Sequence, residues 1–138
     1  MKTTIKFFLF AALISLFASC AKNPGNLLIK KEGTWTATTV TTIDSFGTFT
    51  DVYEMTFYEG SATQKDTAGN ISSFNWYYDK KAAQIVISLY DGVNTTTIIE
   101  EVSNIETDSE KWTYKSRTYN GIKTTPAGYT QETSLVRK

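Results

Sequence analysis

The pattern of apolar and polar side chains changes at Gly33, and from there onward it has a period of two. This alternation is typical of strands with one buried face, because successive side chains point to opposite faces of a sheet. The clearest rows of alternate residues are Trp35-Ala37-Thr39-Thr41-Ile43, Phe49-Asp51-Tyr53-Met55-Phe57, Phe74-Trp76-Tyr78, Ile85-Ile87-Leu89 and Trp112-Tyr114. No helical spacing of useful length competes with these rows, so the sequence predicts an all-β domain.

Turn-forming residues separate the rows at regular distances. Asp91-Gly92 and Asn120-Gly121 are the strongest signals, since a type I′ turn needs two residues at positive φ. The predicted strands span residues 33–44, 47–58, 61–67, 71–78, 83–90, 94–103, 111–119 and 122–137. Because the connections are short, sequential strands are expected to pair antiparallel in an up-and-down order. Closure into an eight-stranded barrel removes the exposed edges; a two-sheet sandwich is the alternative.

The start of the chain has a different pattern. Lys2 and Lys6 precede an almost wholly apolar stretch at residues 7–18. As a helix, this stretch would span about 18 Å, which is too short for the roughly 30 Å hydrocarbon core of a bilayer. A basic start and a short apolar segment are typical of a signal peptide, so we predict that residues 1–19 are removed.

The apolar stretch ends in Leu16-Phe17-Ala18-Ser19-Cys20, and Cys20 is the only cysteine of the chain. This segment resembles the lipobox of bacterial lipoproteins. The resemblance implies cleavage between Ser19 and Cys20, acylation of Cys20, and a lipid anchor in the outer membrane of the cell envelope, with the domain facing the periplasm or the cell surface. The alternative is an ordinary cleaved signal whose last part happens to contain a cysteine.

Residues 20–32 are predicted to connect this anchor to the barrel domain, which spans residues 33–138. Residues 22–26 have turn chemistry, whereas residues 27–29 are apolar. The apolar residues either form a short helical turn that closes one end of the domain or belong to a mobile linker.

A family resemblance appears at both ends of the barrel domain. Gly33-Thr34-Trp35 opens the first strand, Trp76-Tyr77-Tyr78-Asp79 ends a middle strand, and Leu135-Val136-Arg137-Lys138 closes the last one. These segments resemble the small lipocalin-like domains of Bacteroidota lipoproteins. The resemblance implies that Gly33 and Trp35 form a structural motif and that Arg137 packs over the Trp35 ring.

Composition narrows the possible chemistry. The 138 residues include no histidine and one cysteine, which excludes a Ser-His-Asp triad, a Cys-His dyad and a zinc site built from histidines and cysteines. The formal net charge is zero, so nothing indicates a nucleic-acid partner. No glycine-rich phosphate-binding motif is present. We therefore predict a protein that is not an enzyme and needs no cofactor or metal.

Acidic pairs are the remaining candidates for chemistry. Glu100 and Glu101 are neighbours on a predicted strand and must point to opposite faces. We expect one of them to be solvated and the other to lie at the barrel mouth. Asp108 and Glu110 fall in a predicted loop and are expected to be solvated there.

The aromatic side chains of the barrel domain allow two functions. The candidates for lining a ligand site are Trp35, Tyr53, Phe57, Phe74, Trp76, Trp112 and Tyr114. Eight strands enclose a space just wide enough for side chains to fill, and the short turns leave little chain for loops at the mouth. We therefore predict a filled interior and an interaction module that uses its outer surface, with no protein partner identified. The alternative is a small apolar, lipid-like ligand in the barrel mouth.

One modification site is suggested by a short motif. Asp66-Thr67-Ala68 resembles the acceptor of Bacteroidota protein O-glycosylation and falls in a predicted turn. The resemblance implies a glycan on Thr67. The alternative is an ordinary polar turn.

Overall fold

The computed structural model describes residues 23–30, 33–125 and 127–138. The predicted signal peptide, its cleavage site and Cys20 lie outside these residues. Within the described residues, one helix and nine strands follow in chain order. They are α1 (Pro24–Ile29), β1 (Thr34–Ile43), β2 (Gly47–Tyr58), β3 (Ser61–Lys65), β4 (Ile71–Asp79), β5 (Gln84–Tyr90), β6 (Thr95–Ser103), β7 (Ser109–Tyr119), β8 (Ile122–Lys123) and β9 (Tyr129–Arg137).

Eight of the strands close into a single antiparallel barrel. Each strand from β1 to β7 pairs with the next, and β9 pairs with both β7 and β1. The two-residue β8 pairs only with the end of β7. The predicted eight-stranded up-and-down barrel is therefore confirmed, and the two-sheet sandwich is not formed.

The largest differences from the predicted strand boundaries fall in the last strand and at the start of β7. The predicted last strand, residues 122–137, is divided into β8 and β9, and it contains Pro126, which has no N–H to give to a ladder. Strand β7 begins at Ser109, two residues earlier than predicted. That shift brings Glu110 into the sheet.

The barrel has two different ends. The closed end carries α1 and the turns at residues 59–60, 80–83 and 104–108, and the open end carries the turns at residues 44–46, 66–70 and 91–94 and the segments 120–125 and 127–128. Asn23 caps α1, because its Oδ1 accepts a hydrogen bond from the Gly25 N–H at 3.1 Å, and Pro24 occupies the first helical position. Of the two alternatives for residues 27–29, the structure shows the helical one.

Side chains from the barrel strands donate hydrogen bonds to the carbonyl groups at the C-terminal end of α1. The Trp35 Nε1–H donates to the Leu28 carbonyl at 2.9 Å, and Arg137 Nη2 donates to the Leu27 carbonyl at 2.7 Å. Arg137 Nη1 donates to the Lys30 carbonyl. The last carbonyls of a helix have no partner within it, so these donors stabilise both the helix end and its position on the barrel.

Candidate functional site: the cavity at the open end

Side chains do not fill the half of the barrel interior that lies nearer the open end. A cavity of about 240 Å³ enters from the open end. Its walls consist of Thr39, Thr41, Asp51, Tyr53, Met55, Gln64, Phe74, Ile87, Leu89, Ile98, Glu100, Trp112, Gln131 and Thr133. Most of these residues belong to the alternating rows seen in the sequence, so the period of two identified the inward faces of the strands.

An aromatic cluster forms the floor of the cavity. Phe57 lies at its centre and meets Phe74, Trp76 and Trp112 edge to face, with ring centroids 6.3, 5.4 and 5.9 Å apart. This edge-to-face geometry is favoured by the ring quadrupoles. The closed half of the barrel is therefore filled as predicted, whereas the open half is not.

Glu100 is the buried acid of this cavity. Its residue surface is only 3% exposed, and it lines the cavity wall on β6. The Oε1 atom has one long contact, 3.5 Å from Gln131 Nε2, and Oε2 has no hydrogen-bond partner among the described residues. Burial raises the pKa of Glu100 to about 8, because the charged form has lost its hydration. This carboxyl group therefore holds its proton near neutral pH.

A bulge helps to position Glu100. On β6 and β7, Glu100 lies opposite Tyr114 and Ile99 lies opposite Ser116, so Lys115 is an extra residue on β7. Lys115 forms an ion pair with Glu101 on the outside of the barrel. The expected division of the acidic pair is thus present, and Glu100 is buried more deeply than a position at the mouth suggested.

Tyrosine and glutamine side chains lie at the part of the cavity nearest the open end. Tyr129 donates to Gln131 Oε1, and its ring meets the Tyr114 ring edge to face at 4.8 Å. Burial raises the pKa of Tyr129. On the neighbouring strands β1 and β9, the directly paired Thr39 and Thr133 hydroxyls share a buried hydrogen bond of 2.9 Å. The wall is therefore amphipathic, with hydrogen-bonding groups set among apolar ones.

A second buried acid, Glu110, contradicts the prediction of a solvated loop. Its residue surface is 2% exposed, and Trp112 Nε1 donates to its Oε2 at 3.1 Å. Its Oε1 has no partner in the described part of the chain. Burial raises its pKa to about 7, against the opposing effects of the Trp112 hydrogen bond and the Arg137 charge. Glu110 lies toward the closed end and does not line the cavity.

Both buried acids had a signal in the sequence. Glu110 lies two residues before Trp112, and Glu100 lies two residues before Val102 and two after Ile98. Residues two apart on a strand share a face, so each acid belonged to an inward row. For Glu110 the signal was missed because the predicted strand began one residue after it.

The structure separates the predicted ligand-lining residues into two groups. Tyr53, Phe74 and Trp112 line the cavity. The packed core holds instead the side chains of Trp35, Trp76 and Phe57. Tyr114 meets Tyr129 edge to face beside the cavity. None of these four side chains, Trp35, Trp76, Phe57 and Tyr114, lines the cavity.

Gly33, Trp35 and Arg137 lie at the closed end of the barrel, where Arg137 packs over the Trp35 ring. The Arg137 guanidinium carbon lies 4.2 Å from the centre of the Trp35 ring, and its side chain is only 5% exposed. Arg137 also forms an ion pair with Asp108 at 3.1 Å. A Cβ on Gly33 would lie 2.3 Å from the Phe57 carbonyl oxygen, and the φ of Gly33 is +62°, so this position accepts only glycine without rearrangement.

Thr67 lies in an exposed turn at the open end. Asp66 organises this turn by accepting hydrogen bonds from the Asn70 backbone N–H and from its side-chain amide, both at 2.8 Å. The hydroxyl acceptor position is therefore accessible, and its glycosylation stays a prediction.

Within residues 23–30, 33–125 and 127–138, no group of three or more acidic, histidine or cysteine side chains could hold a metal ion. No helix among those residues is long and apolar enough to cross a membrane. Comparison with family models, curated proteins and solved structures finds no match to this chain.

Proposed function

We propose that this protein is a non-enzymatic binding module whose barrel holds one small amphipathic molecule. The observation that carries the proposal is the cavity, which has both apolar walls and a buried carboxyl group with an unused oxygen. Its volume of about 240 Å³ lies just below the range of roughly 300–1,000 Å³ that is usual for ligand pockets. The expected ligand is therefore smaller than a long-chain lipid.

Binding can be followed through Trp112, whose indole lines the cavity. Native mass spectrometry of the purified protein is expected to show a carried small molecule, and tryptophan emission is expected to change saturably when that molecule is added back. Leu89→Phe fills the cavity and is expected to abolish the change. Val136→Phe adds an aromatic ring at an exposed position of β9 and is the matched control. Equal binding by both variants would place the ligand elsewhere.

We further propose that the domain is held at the cell envelope by a lipid on Cys20. The lipobox-like segment and the single cysteine support this proposal. One acyl chain gives only marginal membrane binding, whereas two or more anchor a protein firmly. Cys20→Ala is expected to move the protein from the membrane fraction to the soluble fraction. A variant that still sediments with membranes after a salt wash would contradict the anchor.

A second candidate function is the docking of a protein partner on the rim of the open end. The observation that favours it is a set of seven exposed apolar side chains at the open end, since exposed apolar surface is a feature of docking sites when it is contiguous. The set consists of Phe46, Phe49, Ile71, Tyr90, Val93, Tyr119 and Ile122. A photo-crosslinking residue at Phe46 is expected to capture a partner in cells, whereas one at Tyr58, exposed at the closed end, is not.

A further inference from the structure

The carboxyl group of Glu100 is buried without the partners that an ionised carboxylate requires. Gln131 provides one long contact to Oε1, and nothing in the described part of the chain reaches Oε2. A buried charge is costly unless it is paired and hydrogen-bonded. Oε2 itself is covered in the free protein, but the side chain lines the cavity, so a rotation of the carboxyl group brings its unused hydrogen-bonding capacity to a bound donor.

The charged side chains in the wall of the cavity have one sign. Asp51 and Glu100 are both in its wall, and no lysine, arginine or histidine among the described residues is. Lys115 is engaged by Glu101 on the outside of the barrel. Arg117 acts on the Tyr129 hydroxyl and is not part of the wall. The cavity therefore favours a positive ligand over a negative one.

Aromatic side chains also line the cavity. Tyr53, Phe74 and Trp112 line it together with the two acids. The face of an aromatic ring attracts a cation, and ammonium groups are commonly recognised by aromatic side chains. A carboxylate next to several rings thus suits an ammonium group attached to a short apolar body.

We propose that the cavity selects a small organic cation, an ammonium group on a short apolar body, with Glu100 as its counter-ion. This inference rests on the small-ligand function proposed above and defines the class of ligand. The ammonium hydrogens donate to the Glu100 oxygens, and the apolar body lies against Ile87, Leu89 and Ile98. The acidic wall disfavours a fatty acid, whose carboxylate would face Glu100.

Binding of a cation must displace the proton of Glu100 to solvent. Because burial places the pKa of Glu100 at about 8, the carboxylate fraction of the free protein increases about fifty-fold between pH 6 and pH 8. The affinity for a cation is expected to increase to the same extent. The other titratable or charged groups near this site are Asp51 and Tyr53 on β2, Tyr114 and Arg117 on β7, and Tyr129 on β9. The inward side chains of β5, Ile87 and Leu89, carry no charge.

The test uses three probes that share one shape and differ in charge. These are phenethylamine, phenethyl alcohol and hydrocinnamate, titrated calorimetrically into the purified full-length protein at pH 6 and pH 8. Phenethylamine is expected to bind more tightly than the other two at pH 8, and it alone is expected to gain affinity as the pH rises.

Two variants separate the role of Glu100 from a general effect of buried acids. Glu100→Gln resembles the protonated acid in shape and is expected to weaken phenethylamine binding by roughly ten- to a hundredfold, as the loss of a charge-assisted hydrogen bond does. Its affinity for phenethyl alcohol is expected to stay within about twofold, since that probe needs no charge on residue 100. Glu110→Gln removes the other buried acid, which lies outside the cavity, and is expected to leave both affinities unchanged.

The outcomes distinguish the two proposals. If phenethyl alcohol or hydrocinnamate binds as tightly as phenethylamine, the cation inference is wrong and the small-ligand function stands. The same holds if the amine affinity does not change with pH in the wild-type protein, a result that does not depend on any variant folding. If none of the three probes binds, both proposals fail for molecules of this size.

Discussion

The closed and open ends of this barrel share the same strands but bury their side chains differently. At the closed end, three tryptophans donate their N–H groups to protein oxygens, and Arg137 ties the last strand to α1. At the open end, Glu100 keeps an oxygen that no described residue uses. A buried acid at the closed end also keeps an oxygen without a partner among the described residues, Glu110 Oε1, but of the two acids only Glu100 lines the cavity. The comparison shows that packing is completed at one end and that space beside a buried acid is left at the other.

The difference arises from a gradient of size and polarity along the inward rows. From the closed end to the open end, these rows read Trp35-Ala37-Thr39-Thr41 on β1, Phe57-Met55-Tyr53-Asp51 on β2, Trp76-Phe74 on β4 and Leu135-Thr133-Gln131 on β9. An eight-stranded barrel is filled only when its inward side chains are large enough. The smaller and more polar residues therefore leave the cavity in the upper half.

Replacement of Trp35 by alanine is expected to have the largest effect on stability. Its side chain is fully buried, contacts Arg137 and donates a hydrogen bond to Leu28. The free energy of unfolding is therefore expected to fall by about 3–5 kcal/mol. Tyr53→Ala at the open end enlarges an existing cavity and is expected to cost about 1–2 kcal/mol. Urea denaturation measures both. Equal losses would remove the contrast between the two ends.

Two glycines at positive φ provide a matched pair of smaller changes. Gly33→Ala places a Cβ against the Phe57 carbonyl, whereas Gly47→Ala at the open end meets nothing within 4 Å. Both variants carry backbone strain of about 1–2 kcal/mol, and the clash adds to it only at Gly33. The melting temperature is expected to fall clearly further for Gly33→Ala. A larger fall for Gly47→Ala would mean that α1 and β2 adjust easily.

The two buried acids predict how stability depends on pH. Their pKa values are raised, from an ordinary value of 4.5 to about 8 for Glu100 and about 7 for Glu110. Stability is therefore fully present below pH 4.5 and is lost as pH rises through 7 and 8, where the folded state is forced to ionise.

Variants that cannot ionise should escape this loss. Since the cavity opens to solvent, at pH 9 Glu100→Gln is expected to be about 2–4 kcal/mol more stable than the wild type, and Glu110→Gln about 1–3 kcal/mol. At pH 5 both should match it within about 1 kcal/mol. Glu101→Gln, whose side chain is exposed, is the control. A wild-type stability that is constant from pH 5 to pH 9 would contradict the burial of both acids.

The smallest effect is expected at the rim of the open end. Phe46 is 76% exposed, so Phe46→Ala is expected to change stability by less than about 0.5 kcal/mol. The same substitution at Phe57, in the centre of the aromatic cluster, is expected to cost about 3–5 kcal/mol. Chemical denaturation of the two variants tests this contrast. A stabilising role for Phe46 would show that the rim packs more than its exposure indicates.

The strand order, the direction of pairing and the inward rows could all be read from the sequence. These features depend on local properties: the period of two identifies faces, and Asp-Gly and Asn-Gly turns fix short antiparallel connections. Closure into a barrel followed from the same features, because a meander of eight strands has edges to remove. The helical turn at residues 27–29 was only one of two alternatives, since a helix of this length is stable only where the barrel supplies partners for its carbonyls.

The depth at which each inward residue lies was decided by the tertiary structure. Alternation shows that Glu100 shares a face with Ile98 and Val102. It does not show whether that face is shielded from water at this position along the barrel axis. The answer depends on the bulge at Lys115, on the cavity-lining side chains of β1 and β9, which do not pair with β6, and on the size of other side chains far away in sequence. The burial of Glu100, and therefore its pKa, depends on all of these distant neighbours together. No local sequence pattern can predict it.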